Sequence, residues 1–246
     1  QIGAIMAKYI LEAHKNAGTL PENAALCKSI VSTDLVTKIA ESYGATMFNV
    51  LTGFKFIAEK IQEFEEKHNH TYMMGFEESF GYLIKPFVRD KDAIQAVLVV
   101  AELAAYYRSR GLTLADGIEE IYKEYGYYAE KTISVTLSGV DGAEQIKAIM
   151  AKFRDNGPKE FNNTAITVVE DFKAQTSTAT DGTVTALTTP PSDVLKYTLA
   201  DGSWIAVRPS GTEPKIKFYI AVVGENNEDS QTKIANIEAE INAFVK

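Results

Sequence analysis

The sequence has a single cysteine, Cys27, so the chain cannot form an internal disulfide. A disulfide-stabilised scaffold is therefore excluded, and the composition fits a reducing compartment, which we expect to be the cytoplasm. Long hydrophobic runs are also missing. The longest apolar stretch, residues 93–105 (AIQAVLVVAELAA), is interrupted by Gln95 and Glu102 and is shorter than the roughly 18 residues of a membrane-spanning helix, so no membrane contact is expected.

Positive charge is scarce as well. The 25 Lys and Arg residues are outnumbered by 33 Asp and Glu residues, which gives a formal net charge of -8 at pH 7. A broad basic surface for sequence-independent binding to nucleic acid is therefore not expected. An anionic ligand would have to bind at a local cluster of basic residues.

The length of the chain predicts two domains. Its 246 residues, 46% of them hydrophobic, exceed the roughly 100 to 200 residues of a usual domain. The first segment, residues 1–17, has apolar residues at helical spacing, but it has no initiator methionine, no N-cap and no feature of a signal peptide. We therefore expect the sequence to be part of a longer chain.

Strands and helices alternate in the first half of the sequence. The predicted strands are residues 27–32, 46–51 and 71–76, and the predicted helices are residues 1–17, 35–43, 54–66 and 91–109. Thr33 and Asp34 are predicted to be an N-cap pair for the helix that follows them. This alternation predicts an α/β, three-layer domain with a mixed sheet over residues 1–127, in which ligands bind where strands lead into helices.

The second half consists mostly of predicted strands. These are residues 131–137, 164–172, 194–199, 204–207 and 215–222, and the two predicted helices are residues 143–155 and 229–245. Asp-Gly pairs at residues 181–182 and 201–202 are typical of tight hairpin turns. Residues 128–246 are therefore predicted to form a smaller α+β domain, in which two helices pack on one antiparallel or mixed sheet.

The loop between the last two predicted strands, residues 208–214 (RPSGTEP), has the groups that bind a phosphate. Arg208 offers a charged bidentate donor, Ser210 and Thr212 offer hydroxyls, and Gly211 lets backbone N–H groups approach closely. It is not a Walker A loop, because that motif ends in Gly-Lys-Ser or Gly-Lys-Thr and precedes a helix. A solvated turn shaped by the proline and glycine explains this loop alone equally well.

A second segment, residues 75–81 (GFEESFG), follows a predicted strand and carries two adjacent carboxylates and a serine. One carboxylate can accept hydrogen bonds from two neighbouring sugar hydroxyls. Because neighbouring residues of an extended chain point to opposite sides, we expect only one of Glu77 and Glu78 to face a ligand and the other to bond to backbone or solvent. Alone, such a loop is more often an acidic surface loop.

The remaining candidates are weaker. Residues 52–55 (TGFK) stand at a strand-to-helix junction, where free N–H groups favour an anion or hydroxyl, although a plain N-cap with Phe54 in the core is the favoured interpretation of this segment alone. His68 and His70 lack a third ligand, so no specific metal site is expected there. Cys27, within a β-type run, is expected in the core rather than as a nucleophile.

In their order and spacing, the segments TGFK, GFEESFG, RDKD (residues 89–92) and RPSGTEPK resemble those of the phosphohexomutase superfamily, specifically of the phosphoglucomutases. The resemblance covers essentially the whole chain and matches the third and fourth of that family's four domains. It implies an intramolecular phosphotransferase that interconverts glucose 1-phosphate and glucose 6-phosphate through glucose 1,6-bisphosphate. This chain would be its substrate-recognition half.

The resemblance also implies three groups of site residues. They are Thr52, Gly53, Glu77 and Ser79 for the sugar, Arg89 and Lys91 as supporting catalytic residues near the reacting phosphate, and Arg208, Ser210, Gly211 and Thr212 for the distal, non-transferring phosphate. The expected partners are therefore a phosphorylated hexose and the N-terminal domains of the same polypeptide.

Two loops of the family do not occur in the sequence. One is the TASHNP-type loop with the phosphorylated serine, and the other is the DGDxDR-type loop that holds Mg²⁺. The resemblance thus implies that the full-length protein uses Mg²⁺ and glucose 1,6-bisphosphate, that this chain supplies no metal ligand, and that it is not active alone. Three alternatives stay open, which are a phosphomannomutase, a phosphopentomutase and a stand-alone sugar-phosphate binding module.

Overall fold

The computed structural model describes residues 1–137, 141–211 and 213–245. The chain divides into two compact units, Gln1–Gly126 and Tyr127–Lys246.

Unit 1 is built on a four-stranded sheet with the strand order β2-β1-β3-β4. Its elements are α1 (Ile2–Asn16), β1 (Ala24–Ser29), α2 (Leu35–Ser42), β2 (Thr46–Val50), α3 (Phe54–Lys67), β3 (Thr71–Glu77), β4 (Gly81–Leu83), α4 (Ala93–Ser109) and α5 (Leu114–Tyr125). β1 pairs parallel with β2 and β3, whereas β4 pairs antiparallel with β3. The sheet is therefore mixed, as the sequence predicts.

Helices cover both faces of this sheet. On one face, Ile57 and Ile61 of α3 pack with Cys27 of β1 in one hydrophobic core. On the other face α1 lies so close to β3 that a Cβ atom at Gly3 would be 2.9 Å from the ring of Phe76. The three-layer prediction is confirmed.

Two elements of unit 1 were not predicted, and one was misplaced. β4 is only three residues long and pairs back on the end of β3, with Leu83 fully buried. α5 begins with a capping box in which Thr113 and Asp116 exchange side-chain and backbone hydrogen bonds, a signal that is present in the sequence. β1 covers Ala24–Ser29 instead of residues 27–32, because its buried alanines lack the β-branched side chains used to recognise strands.

The apolar run at residues 93–105 forms most of α4. Leu103 is buried, but Ile94, Val97 and Leu98 are exposed in unit 1. Among the described residues, no helix combines the length and the hydropathy that a membrane crossing would need.

The described part of unit 2 has two helices and an eight-stranded sheet. Seven strands follow the order β5-β12-β11-β10-β7-β8-β9, and the eighth, β6, pairs with β7. The elements of unit 2 are β5 (Tyr127–Thr136), α6 (Gly142–Asn156), β6 (Glu160–Phe161), β7 (Thr164–Asp171), β8 (Thr176–Ala179), β9 (Val184–Ala186), β10 (Leu195–Leu199), β11 (Trp204–Pro209), β12 (Lys215–Gly224) and α7 (Asn227–Val245). Its recorded strand pairs are antiparallel.

The predicted α+β arrangement of unit 2 is confirmed. Gly182 and Gly202 have φ angles of +84° and +85°, which glycine adopts readily, at the two predicted hairpin turns. Phe153 of α6 and Ile237 of α7 belong to one hydrophobic core with Phe218 of β12, so both helices cover the same face of the sheet.

A half-buried guanidinium fastens α6 to the sheet. Arg154 Nε donates to Asp171 Oδ2 at the end of β7, and Arg154 Nη2 donates to Asp193 Oδ1 just before β10, both at 2.7 Å. Burial alone would raise the pKa of Asp171. The hydrogen bonds from Arg154 and from a backbone N–H lower it by more, so the pKa lies below its ordinary value. The Arg154 guanidinium is therefore paired with carboxylates of unit 2 itself.

Candidate functional site

The end of β1 contains a lysine, Lys28, that was not among the candidates predicted from the sequence. Lys28 has no exposed surface, and its ammonium group lies 2.8 Å from Asp34 Oδ1 and donates to the carbonyl oxygen of Ser32. Asp34 is the N-cap residue of α2, but its side chain makes no cap hydrogen bond. Asp34 thus occupies the predicted N-cap position, but its carboxylate pairs with the buried Lys28 instead of the helix N–H groups, and it is Thr33 Oγ1 that accepts from the Leu35 N–H at 3.3 Å.

The loop from β2 to α3 contains Thr52 and Gly53. Gly53 is the N-cap residue of α3, with φ +117° and no side-chain cap hydrogen bond. The first N–H groups of a helix lack partners within the helix, so this helix start offers donors to a hydroxyl or an anion. Phe54, the next residue, is buried in the core, as expected.

The end of β3 brings two predicted site residues together. Glu77 is buried and pairs with Gly81 of β4, and a Cβ atom at Gly81 would lie 2.8 Å from Glu77 Oε1 and 2.9 Å from Lys91 Cδ. The ammonium group of Lys91 also lies 5.8 Å from the ring centroid of Phe54 at the start of α3. Glu77 and Lys91 therefore lie together beside the loop that holds Thr52 and Gly53.

Within the part of unit 1 that the structure describes, the Glu77 side chain makes no hydrogen bond or ion pair, so its carboxylate oxygens remain available as acceptors. Lys91 bonds Asp90 Oδ1 at 3.1 Å. The N–H and ammonium groups of Lys91 hold the pKa of Asp90 below its ordinary value. Acceptor and cation thus stand side by side, an arrangement suited to a hydroxylated anion.

The other residues of this segment have different surroundings. Glu78 accepts a hydrogen bond of 2.6 Å from the hydroxyl of Ser29 in β1, so its partner here is a side chain and not the expected backbone group. Ser79 is exposed.

Arg89 is not grouped with Lys91. Its guanidinium bonds Glu65 and the carbonyl oxygen of Pro86. Glu65 lies 11 residues after Phe54 on α3, which at 1.5 Å per residue is about 16 Å along the helix. The structure therefore brings together Gly53, Glu77 and Lys91, and places the Arg89 side chain elsewhere.

In unit 2 the predicted phosphate loop borders a cavity of about 650 Å³. The cavity is lined by Arg208, Ser210 and Gly211 from the loop, and by Lys147 and Met150 from α6. Thr212 lies outside the described residues.

Charge in this loop is unevenly distributed. Lys215 is paired with Glu213 at 2.9 Å, and this hydrogen bond lowers the pKa of Glu213. Arg208 of β11 stands directly opposite Lys217 of β12. Among the described residues, the Arg208 guanidinium forms no hydrogen bond or ion pair, in contrast to that of Arg154. A guanidinium that lies beside another cation and pairs with no carboxylate of the chain is suited to bind an anion from solution.

Three further residues, considered from the sequence as a nucleophile or as metal ligands, have structural roles. Cys27 is buried, and burial raises the pKa of its thiol to about 12, so it is a core residue and not an activated nucleophile. The His70 ring packs against the rings of Phe48 and Phe64. His68 is the left-handed C-cap residue of α3. Among the residues described, no three His, Cys, Asp or Glu side chains are grouped to hold a metal ion.

Lys28, Ser29 and Gly81 were not among the site residues predicted from the sequence. A lysine at a strand end gives no signal of burial, because its charge predicts exposure. Gly81 does give a signal, because it is the last residue of GFEESFG. A glycine within a strand often marks a position where another group approaches the backbone closely.

Two family models match the chain. Residues 1–125 match the model described as "Phosphoglucomutase/phosphomannomutase, alpha/beta/alpha domain III", and residues 140–241 match the one described as "Phosphoglucomutase/phosphomannomutase, C-terminal domain". Together they cover nearly all of both units.

The curated relatives that this chain matches are longer than the chain itself. The phosphoglucomutase of Staphylococcus haemolyticus is 37% identical over 237 residues, which are 96% of this chain and 42% of that protein. The phosphoglucomutase of a bovine strain of Staphylococcus aureus is 37% identical over 95% of this chain and 41% of its own length. The chain spans about two fifths of the length of the curated relatives it matches.

Solved structures share the fold. The open form of pp63/parafusin, a phosphoglucomutase from Paramecium, superposes with a TM-score of 0.62 at 19% identity, covering 98% of this chain and 40% of that one. A phosphoglucomutase/phosphomannomutase family protein from Burkholderia thailandensis superposes with a TM-score of 0.51 at 13% identity, covering 98% and 41%.

Proposed function

Since the chain belongs to the phosphoglucomutase/phosphomannomutase family, matching its domain III and C-terminal domain, we propose that it is the substrate-recognition half of a phosphoglucomutase. The proposed full-length enzyme is an intramolecular phosphotransferase of the cytoplasm that interconverts glucose 1-phosphate and glucose 6-phosphate. The observation that carries the proposal is the position of Arg208. Its guanidinium borders a cavity of about 650 Å³ and pairs with no carboxylate among the described residues.

In this proposal Arg208 binds the distal phosphate of the sugar through a charge-assisted, bidentate pair. Ser210, Gly211 and Thr212 add hydroxyl and backbone donors from the same loop. In unit 1, Glu77 accepts hydrogen bonds from sugar hydroxyls, and Lys91 beside it attracts the reacting phosphate. Thr52 and Gly53 orient the sugar from the start of α3, while Ser79 and Arg89 stay proposed contacts by resemblance.

The phosphoryl transfer itself needs a donor and a charge-neutralising metal. We propose that both come from preceding domains of the same polypeptide, as a phosphorylated serine and a Mg²⁺ site, with glucose 1,6-bisphosphate as intermediate. Among the described residues, no three His, Cys, Asp or Glu side chains lie together to hold a metal ion, and the proposal gives this chain no metal-dependent step. Its own task is to hold either phosphate of the bisphosphate as the distal one, so that the sugar can react at both ends.

Calorimetric titration of the chain tests the proposal. We expect glucose 1-phosphate, glucose 6-phosphate and glucose 1,6-bisphosphate to bind more tightly than inorganic phosphate, because the phosphosugars can use the Glu77 acceptor as well as a cation. Free glucose is the second control. Equal affinity for phosphosugars and phosphate would contradict a sugar-recognition role.

The same titration separates the alternatives. The names of the relatives favour glucose phosphates, whereas tighter binding of mannose 1-phosphate or ribose 1-phosphate would favour a phosphomannomutase or a phosphopentomutase. A stand-alone binding module would be favoured if a phosphosugar bound with full affinity and preceding domains did not change it.

Gly81→Ala should disturb the sugar site while leaving the fold nearly intact. The new Cβ would fall 2.8 Å from Glu77 Oε1 and 2.9 Å from Lys91 Cδ, so both side chains must move aside. Because these atoms belong to flexible side chains, we expect the free energy of unfolding to fall by less than about 1 kcal/mol. We expect the affinity for glucose 1-phosphate to fall by roughly tenfold.

Gly211→Ala is a control for stability alone, measured by urea denaturation, because Gly211 belongs to the proposed phosphate-binding loop. A Cβ at Gly211 meets nothing within 4 Å, so this variant should fold normally. Unchanged glucose 1-phosphate affinity in Gly81→Ala would show that the positions of Glu77 and Lys91 do not matter for binding.

A further inference from the structure

Glu78 is the end of a chain of hydrogen bonds between buried hydroxyls. Its Oε2 atom accepts from Ser29 Oγ at 2.6 Å, and Ser29 Oγ lies 2.8 Å from Ser32 Oγ. Ser29 and Ser32 are 1% and 3% exposed, so water does not compete strongly for these hydroxyls. The GFEESFG segment is thus tied to the neighbouring strand by a carboxylate that no sugar-binding role uses.

The direction of these hydrogen bonds follows from the chemistry of the groups. A serine hydroxyl has one proton, and Ser29 gives its proton to the Glu78 carboxylate. The Ser29 oxygen must therefore be the acceptor in its contact with Ser32, whose hydroxyl donates. We call this series, Ser32 to Ser29 to Glu78, the hydroxyl relay.

The hydroxyl relay begins in a turn that is itself fixed. The Ser32 N–H donates to the Ser29 carbonyl at 3.0 Å, and the Ser32 carbonyl accepts from the buried Lys28 ammonium at 3.1 Å. Lys28 in turn faces Asp34. The turn after β1 is therefore a rigid support, from which Ser29 reaches the end of β3.

The turn that the relay holds contains a strained residue. Phe80 has φ +63°, a left-handed conformation that is unfavourable for a bulky side chain, and it is 80% exposed. Packing of its own side chain therefore does not hold Phe80 in place. The turn is held on one side by the pairing of Glu77 with Gly81 and on the other by the bond from Ser29 to Glu78.

The two adjacent carboxylates thus have separate tasks. Glu78 is directed toward β1, and Glu77 lies over Gly81 beside Lys91. We infer that Ser29 and Glu78 are positioning residues, whose hydrogen bond fixes the turn at residues 77–81 so that Glu77 faces the hydroxyls of a phosphorylated sugar. This inference rests on the proposed function.

Hydrogen exchange of the intact chain tests the structural part. In Ser29→Ala and Glu78→Ala we expect the backbone amides of residues 78–81 to exchange about tenfold faster than in the wild type. Glu78→Gln keeps an oxygen that can accept from Ser29, so it should exchange nearly as the wild type does. Unchanged exchange in both alanine variants would overturn the inference.

The matched control is Asp116→Ala. It removes another hydroxyl-to-carboxylate hydrogen bond of similar length, 2.7 Å from Thr113, at the start of α5. Exchange in the turn at residues 77–81 should not change in this variant. Faster exchange there would show that the alanine variants act through general loosening of the fold.

Titration tests the functional part. The preference for glucose 1-phosphate over inorganic phosphate should fall by roughly tenfold in Ser29→Ala and Glu78→Ala. It should be retained in Glu78→Gln, whose amide oxygen can still accept from Ser29. A wild type without that preference would defeat the proposed function, and the inference with it. A wild type with the preference and alanine variants that keep it would defeat the inference alone.

Discussion

Arg208→Ala is expected to weaken binding of glucose 1-phosphate, glucose 6-phosphate and glucose 1,6-bisphosphate by about 2 to 3 kcal/mol, or roughly 30- to 140-fold in affinity. The folded chain should be almost unaffected, because among the described residues Arg208 forms no ion pair or hydrogen bond that the substitution would break. Calorimetric titration gives the affinities, and urea denaturation gives the stability.

The size of the effect follows from what the guanidinium offers. A bidentate guanidinium pairs with a phosphate through two charge-assisted hydrogen bonds, each stronger than a neutral one. Lys217 stands opposite Arg208 in the sheet, so the two cations together make the local electrostatic potential more positive. The net charge of -8 makes such a local cluster the main attraction for a phosphosugar.

The charge control is Arg108→Ala, which removes one positive charge at an exposed position of α4 in unit 1. Its affinity for phosphosugars should stay within about twofold of the wild type, because Arg108 is not one of the proposed site residues and a single exposed charge is weakened by salt screening. Equal losses in both variants would point to overall charge, and an unaffected Arg208→Ala would remove this loop from the site.

The sequence predicted the elements that have strong local signals. Helices with apolar spacing, and hairpins with Asp-Gly turns such as the one at Gly202, were placed within a few residues. The class of each unit followed from the order of these elements. β4 was missed because three residues are too few to show alternation, and its pairing is visible only once β3 exists.

Side-chain partnerships were harder to predict than elements. Asp34 precedes a helix, which suggested a capping role, yet Lys28 lies six positions earlier and reaches it only because the turn after β1 folds back. Likewise, strand alternation predicts only that Glu77 and Glu78 face opposite sides, and it was the resemblance that assigned Glu77 to the sugar. Their separate surroundings depend on Ser29 and Lys91, which are distant along the chain.

The partnership of Lys28 and Asp34 predicts the largest change in stability. Asp34→Ala should lower the free energy of unfolding by about 2 to 4 kcal/mol, because it removes the carboxylate that faces an ammonium group with no exposed surface. The lower part of that range allows for Asp34, whose side chain is 32% exposed and therefore partly solvated. Urea denaturation followed by circular dichroism measures the loss.

A matched control separates this ion pair from the effect of any aspartate at a helix start. Asp141 is also an N-cap residue in a right-handed helical conformation without a side-chain cap hydrogen bond. Asp141→Ala removes the same interaction with the helix dipole, which is worth about 0.3 to 1 kcal/mol, and no buried lysine loses a partner. A loss as large as that of Asp34→Ala would contradict the argument from burial.

The double variant Lys28→Met, Asp34→Ala tests the cause directly. Because methionine has a similar length and no charge, it removes the uncompensated cation, although the Ser32 carbonyl then loses a donor. We expect the double variant to be more stable than Asp34→Ala alone by about 1 kcal/mol or more, since an apolar replacement of a buried pair is often tolerated. A double variant less stable than Asp34→Ala would mean that Lys28 stabilises this turn mainly through its hydrogen bonds, and that its charge is not what Asp34 compensates.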